Sequence, residues 1–138
     1  MASDNINIGI VGLGFMAAMH IRAYRKIDGV TVAAICDLDP ERLKGDFTEI
    51  SGNIDADEPV KLDMSVVKAY QDFNDLLADE SIDAIDICTP TRTHLRMTKP
   101  ALASGKHVIC EKPLAREIAE AREIAEAASQ AKIGRAHV

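Results

Sequence analysis

Apolar residues cluster in short runs that alternate with stretches of helical periodicity. Ile6 to Val11 is a compact apolar run closed by Gly12, and Val30 to Cys36 (VTVAAIC) is short and β-branched. Both have the length and composition of buried strands. Val66–Tyr70, Ala84–Cys88 and His107–Cys110 are three further strand candidates. Between them the spacing predicts a helix over Phe15–Ile27, with apolar Met16, Met19, Ile21 and Ile27. A second is predicted over Glu41–Ile50, with Asp39 as cap and Pro40 at its start. Phe73–Ala78 is a short third. Thr93–Ser104 is a fourth, interrupted by Pro100 and stopped by Gly105. In the last, Ala115–Lys132, the residues Ile118, Ala121, Ala125 and Ala128 repeat at helical spacing among Glu and Arg. Ser51 to Asp63, polar with Gly and Pro, is expected to be a loop. Strands alternating with helices predict an α/β fold, a doubly wound parallel sheet of the Rossmann type with strand order 3-2-1-4-5.

Composition narrows the function classes. The 138 residues, 47% hydrophobic and 28% charged, make one domain with a real core rather than a disordered tail. No apolar run reaches the roughly 18 residues that a membrane helix needs. The polar start, Met1 to Asn5, lacks the basic and long apolar regions of a secretory signal. Net charge is −6 with the basic residues scattered, which argues against nucleic acid or an anionic membrane surface as partner. There is no Trp, and aromatics are 4%, so stacking platforms for single strands are few. Cys36, Cys88 and Cys110 each end an apolar run, and no CxxC pair exists. They are expected to be buried thiols in a reducing compartment, the cytoplasm, and not zinc ligands or a dithiol pair.

Gly12-Leu13-Gly14-Phe15-Met16-Ala17 fits G-x-G-x-x-G/A, and it has the required context: a strand before it and a helix after it. Gly12 permits the tight turn, Gly14 lets backbone approach a pyrophosphate, and Ala17 lets helix pack close to strand. Phe15 and Met16 open the helix, whose free N–H groups and partial positive charge face the phosphates. Asp37 ends the second strand twenty residues after Ala17. Its carboxylate can accept from both adenosine ribose hydroxyls and would repel a 2′-phosphate, so NAD is expected over NADP. A capping or turn aspartate is the plainer alternative, and Arg42 stands close enough in sequence to swing in.

In the predicted strand order, strands 1, 4 and 5 are neighbours. Their carboxyl ends, Gly12, Thr89-Pro90 and Glu111-Lys112-Pro113, face one crevice at the order reversal. With adenosine over Asp37, nicotinamide falls towards Thr89, Pro90, Glu111, Lys112 and Pro113. Lys112 then sits at the hydride-transfer end, where an ammonium can hydrogen-bond a reacting hydroxyl and stabilise developing alkoxide. An ordinary surface ion pair with Glu111 is the plainer role for it.

The series Ile87-Cys88-Thr89-Pro90, His94, Ala101-Leu102, Gly105-Lys106-His107-Val108 and Cys110-Glu111-Lys112-Pro113-Leu114-Ala115, together with the glycine turn and His20, resembles the Gfo/Idh/MocA oxidoreductases. The similarity covers roughly residues 5 to 132. It implies an NAD- or NADP-dependent dehydrogenase or reductase of sugars, cyclitols and related polyols, with Lys112 as its catalytic residue. It also implies a homo-oligomeric parent and, in many relatives, a cis Pro113. Thr91 departs from the Asn often found there. His94 is expected to brace its helix or touch a ligand, and His20 to be structural or to face the cofactor. A non-catalytic, redox-sensing dinucleotide module is the alternative, which Lys112 disfavours.

The resemblance further implies a sixth strand and a C-terminal substrate domain that residues 1–132 do not contain, so these residues alone are expected to be inactive. Residues 133–138 (IGRAHV) are expected to be a non-native tail, since they match the translation of a common sequencing-library adapter.

Overall fold

β1 (Ile6–Val11), β2 (Val30–Cys36), β3 (Lys68–Tyr70), β4 (Ala84–Ile87) and β5 (His107–Cys110) pair in parallel in the order β3-β2-β1-β4-β5. This computed structural model describes residues 4–50 and 59–131. The expected non-native tail, and most of the loop from Ser51, lie outside the described residues.

Residues of period two separate the two faces of the sheet. Ile8, Ile10 and Ile35 pack on one face with Leu13, Ala17 and Ile21 of α1 (Phe15–Tyr24) and the turn that opens it. Val11, Ala34, Ile85 and Ile87 pack on the other with Leu76 of α2 (Phe73–Ala78) and Ala101 of α3 (His94–Ala103). Ile10, Ile35, Ile85 and Ile87 are completely buried. Each such side chain contributes about 1.5–3 kcal/mol of burial. The runs lack polar alternation because helices cover both sheet faces.

Four expectations of extent or phase are corrected. The helix expected over Glu41–Ile50 is a single 3-10 turn, Arg42–Lys44, ended by Gly45 at φ 73°. Beyond it the chain pairs with a later segment: Phe47 N–H donates to Val60 O and Leu62 N–H to Gly45 O. Phe47 and Val60 thereby close over the α1-side core. α1 stops at Tyr24 and not at Ile27, which is half exposed after two tight turns. β3 begins at Lys68, because the amides of Val66 and Val67 both turn back to Asp63 O. α4 (Ile118–Gln130) buries Ile124, while Ile118 is 74% exposed and Ala125 and Ala128 face solvent. With alanines on several sides of this helix, only the large aliphatic sets its phase.

Lys106 is a buried cation that sequence pattern does not explain. Its ammonium donates to the carbonyls of Asp79 and Ile82, each at 2.8 Å, and so ties the turn before β4 to the start of β5. Lys106→Met keeps the stem but takes the donor from Ile82 O, while Asp79 O keeps the Ile82 N–H. It is expected to cost about 1 kcal/mol, read as a lowered urea midpoint at unchanged slope.

Candidate functional site

The strand registers align the carboxyl ends in one row: Tyr70, Cys36, Val11, Ile87 and Cys110 stand side by side across the sheet. The residues that follow, Asp37, Gly12, Cys88 and Glu111 among them, form the next row. The order reversal at β1–β4 opens this edge, as doubly wound sheets require for a ligand. A cleft of about 830 Å³ lies there. Gly12, Asp37, Thr89 and Pro90 line it, with Arg42 and Phe73 near its β2 end.

Gly12 has φ 86°, and a β-carbon there would stand 2.7 Å from Thr89 Cγ2 and 2.9 Å from the Cys88 carbonyl. The turn is therefore pressed against the end of β4. Gly14 differs. Its φ is −95°, and a β-carbon would meet only Arg42 Nη1, at 3.9 Å. Gly14 is the N-cap of α1, with no side chain closing the helix. The first helical bond runs from Ala18 N–H to Gly14 O, so the amides of Phe15, Met16 and Ala17 have no intrahelical acceptor. Ala17 itself is fully buried, so its side chain serves packing alone.

Asp37 does two things. Its Oδ2 accepts from Leu13 N–H at 2.8 Å and its Oδ1 from Asp39 N–H at 2.9 Å, which fixes the glycine turn to the end of β2. Each oxygen keeps a lone pair, and the residue lines the cleft. Arg42 stands 4.0 Å from Asp37 Oδ2 and donates to Leu13 O. Thr89 is tied by its carbonyl to His94, which is 1% exposed: Nε2 lies 2.9 Å from Thr89 O, and Nδ1 lies 2.9 Å from Pro113 O. His94 thus links the loops after β4 and β5 and does not line the cleft.

Glu111, Lys112 and Pro113 follow β5 outside the cleft wall, beside its β4 end, and the Lys112–Pro113 peptide is cis. The Lys112 side chain is exposed and forms no ion pair with Glu111 among the described residues. Glu111 turns elsewhere. Its Oε2 accepts from Lys112 N–H at 3.1 Å, and its Oε1 lies 2.6 Å from His20 Nε2. His20 Nδ1 in turn lies 2.7 Å from Oδ2 of Asp86, which is completely buried. Tyr24 O–H donates to the same oxygen at 2.7 Å.

Sequence reasoning missed Asp86 and Tyr24. A signal existed: a carboxylate inside the four-residue run AIDI needs partners if the strand is buried. Asp86 lies between Ile85 and Ile87, hence on the α1 face of the sheet, where His20 and Tyr24 lie one turn apart. The Asp86 hydrogen bond, opposed by burial, raises the His20 pKa above 6.5, with Glu111 adding to it. Burial pushes the thiols up, that of Cys36 to about 12, and all three cysteines are free.

A family described as an oxidoreductase family with an NAD-binding Rossmann fold matches residues 6–134. Myo-inositol 2-dehydrogenase of Thermotoga maritima is 30% identical over 128 residues, 93% of this chain and 34% of that protein. D-apiose dehydrogenase of Paraburkholderia graminis is 31% identical over 124 residues, 90% of this chain and 29% of that one. Among solved structures, scyllo-inositol dehydrogenase of Lactobacillus casei, with bound NAD(H) and scyllo-inositol, is similar at a TM-score of 0.74 and 29% identity. That likeness covers 92% of this chain and 34% of the other. The chain spans about a third of the length of the relatives it matches. Among the described residues, no helix is long and apolar enough to cross a membrane. With nearly the whole chain inside the match, this protein belongs to that oxidoreductase family, as its NAD-binding Rossmann fold.

Proposed function

We propose that these residues are the cofactor-holding part of a cytoplasmic dehydrogenase acting on a sugar, cyclitol or related polyol. The observation that carries this is the row of strand ends, which sets the glycine turn, Asp37, Thr89-Pro90 and the Glu-Lys-Pro turn along one edge beside one cleft. NAD fits the residues present. The open space at Gly14 and the amides of Phe15 and Met16, which have no acceptor among the described residues, suit a pyrophosphate. Asp37 has lone pairs for the adenosine ribose, and Thr89 and Pro90 border the nicotinamide ribose.

When bound, NAD supplies the hydride acceptor or donor. The chain's own contribution is to orient it and to place Lys112 at the reacting end. There the ammonium donates to the substrate hydroxyl and stabilises negative charge as it develops on that oxygen. Glu111 acts at one remove, by fixing the Lys112 backbone. Substrate walls, the group that passes the proton on, and the contacts of a homo-oligomer are assigned to the length of the relatives outside this match. The 138 residues alone are therefore expected to bind NAD without oxidising polyols.

Calorimetry with both cofactors tests the reading. The chain is expected to bind NAD more tightly than NADP. In Asp37→Ser the repulsion of a 2′-phosphate is gone and Arg42 is released towards it, so the preference should shrink or reverse. Tighter binding of NADP by the unaltered chain overturns the role of Asp37, and no binding of either overturns the site.

A further inference from the structure

We propose that His20 is the positioning residue of the Glu-Lys-Pro turn, holding the Lys112 backbone through Glu111 only while its imidazole carries both protons. The inference rests on the role given to Lys112 above and adds a control to it.

The geometry is a chain of four side chains from three elements. Tyr24 O–H and His20 Nδ1, both on α1, meet Asp86 Oδ2 of β4, each at 2.7 Å. His20 Nε2 meets Glu111 Oε1 at 2.6 Å after β5, and Glu111 Oε2 takes Lys112 N–H. Both neighbours of the imidazole are carboxylates, which accept only. Both ring nitrogens must therefore donate, which only the imidazolium can do. A neutral ring can serve one carboxylate and turns a lone pair on the other.

The fixed end of the chain is known from burial. Asp86 is inside the sheet and keeps Tyr24 O–H as a second donor, whereas Glu111 is partly exposed. On deprotonation the His20–Asp86 bond is retained and Glu111 is let go, and with it the Lys112 amide. The groups facing His20 are Asp86 and Cys88 from β4 and the residues after it, Glu111 after β5, and Tyr24 on its own helix at a ring-centre distance of 6.3 Å. Burial pushes the Tyr24 hydroxyl and the Cys88 thiol well above their ordinary values, so both stay neutral while His20 titrates. The ligand atoms of His20, Asp86 and Cys88 lie within 4.8 Å of one another. In this structure they satisfy each other by hydrogen bonding.

The sign follows from the direction of the shift. Because His20 is raised above 6.5 by its two carboxylates, the bridge is fully formed below 6.5 and is lost as pH rises through the raised value. The Lys112 turn should loosen over the same window.

Titration of the isotopically labelled chain from about pH 5 to 9, followed by NMR, tests this. The His20 ring is expected to titrate with a midpoint above 6.5, and the Glu111 and Lys112 amides to move with that same midpoint. In Glu111→Gln, a change at a partly exposed side chain, the His20 midpoint should fall and the Lys112 amide should stop following it. NAD affinity of the unaltered chain should weaken at least threefold across the His20 titration, and should be flat there in His20→Gln. A Lys112 amide that ignores His20, or a His20 midpoint untouched by Glu111→Gln, overturns the proposal. If Lys112 follows His20 but NAD does not bind, the coupling stands and the cofactor reading falls.

Discussion

Gly12→Ala is expected to destabilise the fold by about 3 kcal/mol, enough to lower the thermal midpoint by roughly 10 °C in a domain of this size. Two costs add. An L side chain at φ 86° pays about 1–2 kcal/mol for a left-handed backbone. The new β-carbon then stands under 3 Å from Thr89 Cγ2 and from the Cys88 carbonyl group. The latter is backbone, so relief means moving the end of β4. Gly12 N–H donates to Cys36 O, and Cys88 N–H to Val11 O, so a shift there disturbs three strands at once. Overpacking of this kind costs typically 1–3 kcal/mol. Thermal unfolding followed by circular dichroism is the measurement. A midpoint within a few degrees of the unaltered chain would mean that the turn is not pressed against β4.

The glycine turn was legible in sequence because it is local: strand, turn, helix and the Asp37 carboxylate lie within one stretch of chain. β1, β2 and β5 were legible to the residue for a related reason. Runs such as VTVAAIC are satisfied when both faces are covered, whereas β5 was marked by its length, its β-branched Val108 and Ile109 and the Gly105 before it, since His107 and Ile109 stand exposed on one face. The helix expected at Glu41–Ile50 failed where a local signal was ambiguous. Leu43, Phe47 and Ile50 repeat at helical spacing after an Asp-Pro start, yet Gly45 breaks the run and Phe47 is claimed by pairing with Val60, a contact the local pattern does not contain. The side-chain chain at Glu111 was hidden for the same physical reason. His20, Asp86 and Glu111 are separated by 66 and 25 residues, and only the sheet order brings them together. Glu111 could be expected at the crevice from its strand end. That its carboxylate turns to α1 could not, since a motif fixes where a residue stands and leaves open where its side chain points. Lys112 in an ion pair with Glu111 was the plain alternative, and the hydrogen bonds of Glu111 to His20 and to the Lys112 amide take its place.

Gly14→Val should do the opposite of Gly12→Ala: leave the fold standing and remove the cofactor. A β-carbon at Gly14 finds ordinary contact with one atom, Arg42 Nη1 at 3.9 Å, at the flexible end of a half-exposed side chain. The backbone there, φ −95°, is one that any residue adopts. The β-carbon is therefore accommodated, the poorer N-cap costs about 1 kcal/mol, and the thermal midpoint is expected to stay within a few degrees of the original. The space that valine fills is the space at the mouth of α1, over the amides of Phe15 and Met16. A pyrophosphate taken up there needs backbone contact at hydrogen-bonding distance, about 2.7–3.2 Å. Branched carbons hold it off and leave those amides exposed to water. At least a tenfold loss of NAD affinity is expected, about 1.4 kcal/mol, by calorimetry on the folded variant. Because the variant stays folded, the loss cannot be charged to unfolding, which Gly12→Ala alone would leave open. Unaltered affinity in a folded Gly14→Val would mean that the phosphates lie elsewhere, and the cleft between Asp37 and Thr89 would lose its claim to the dinucleotide.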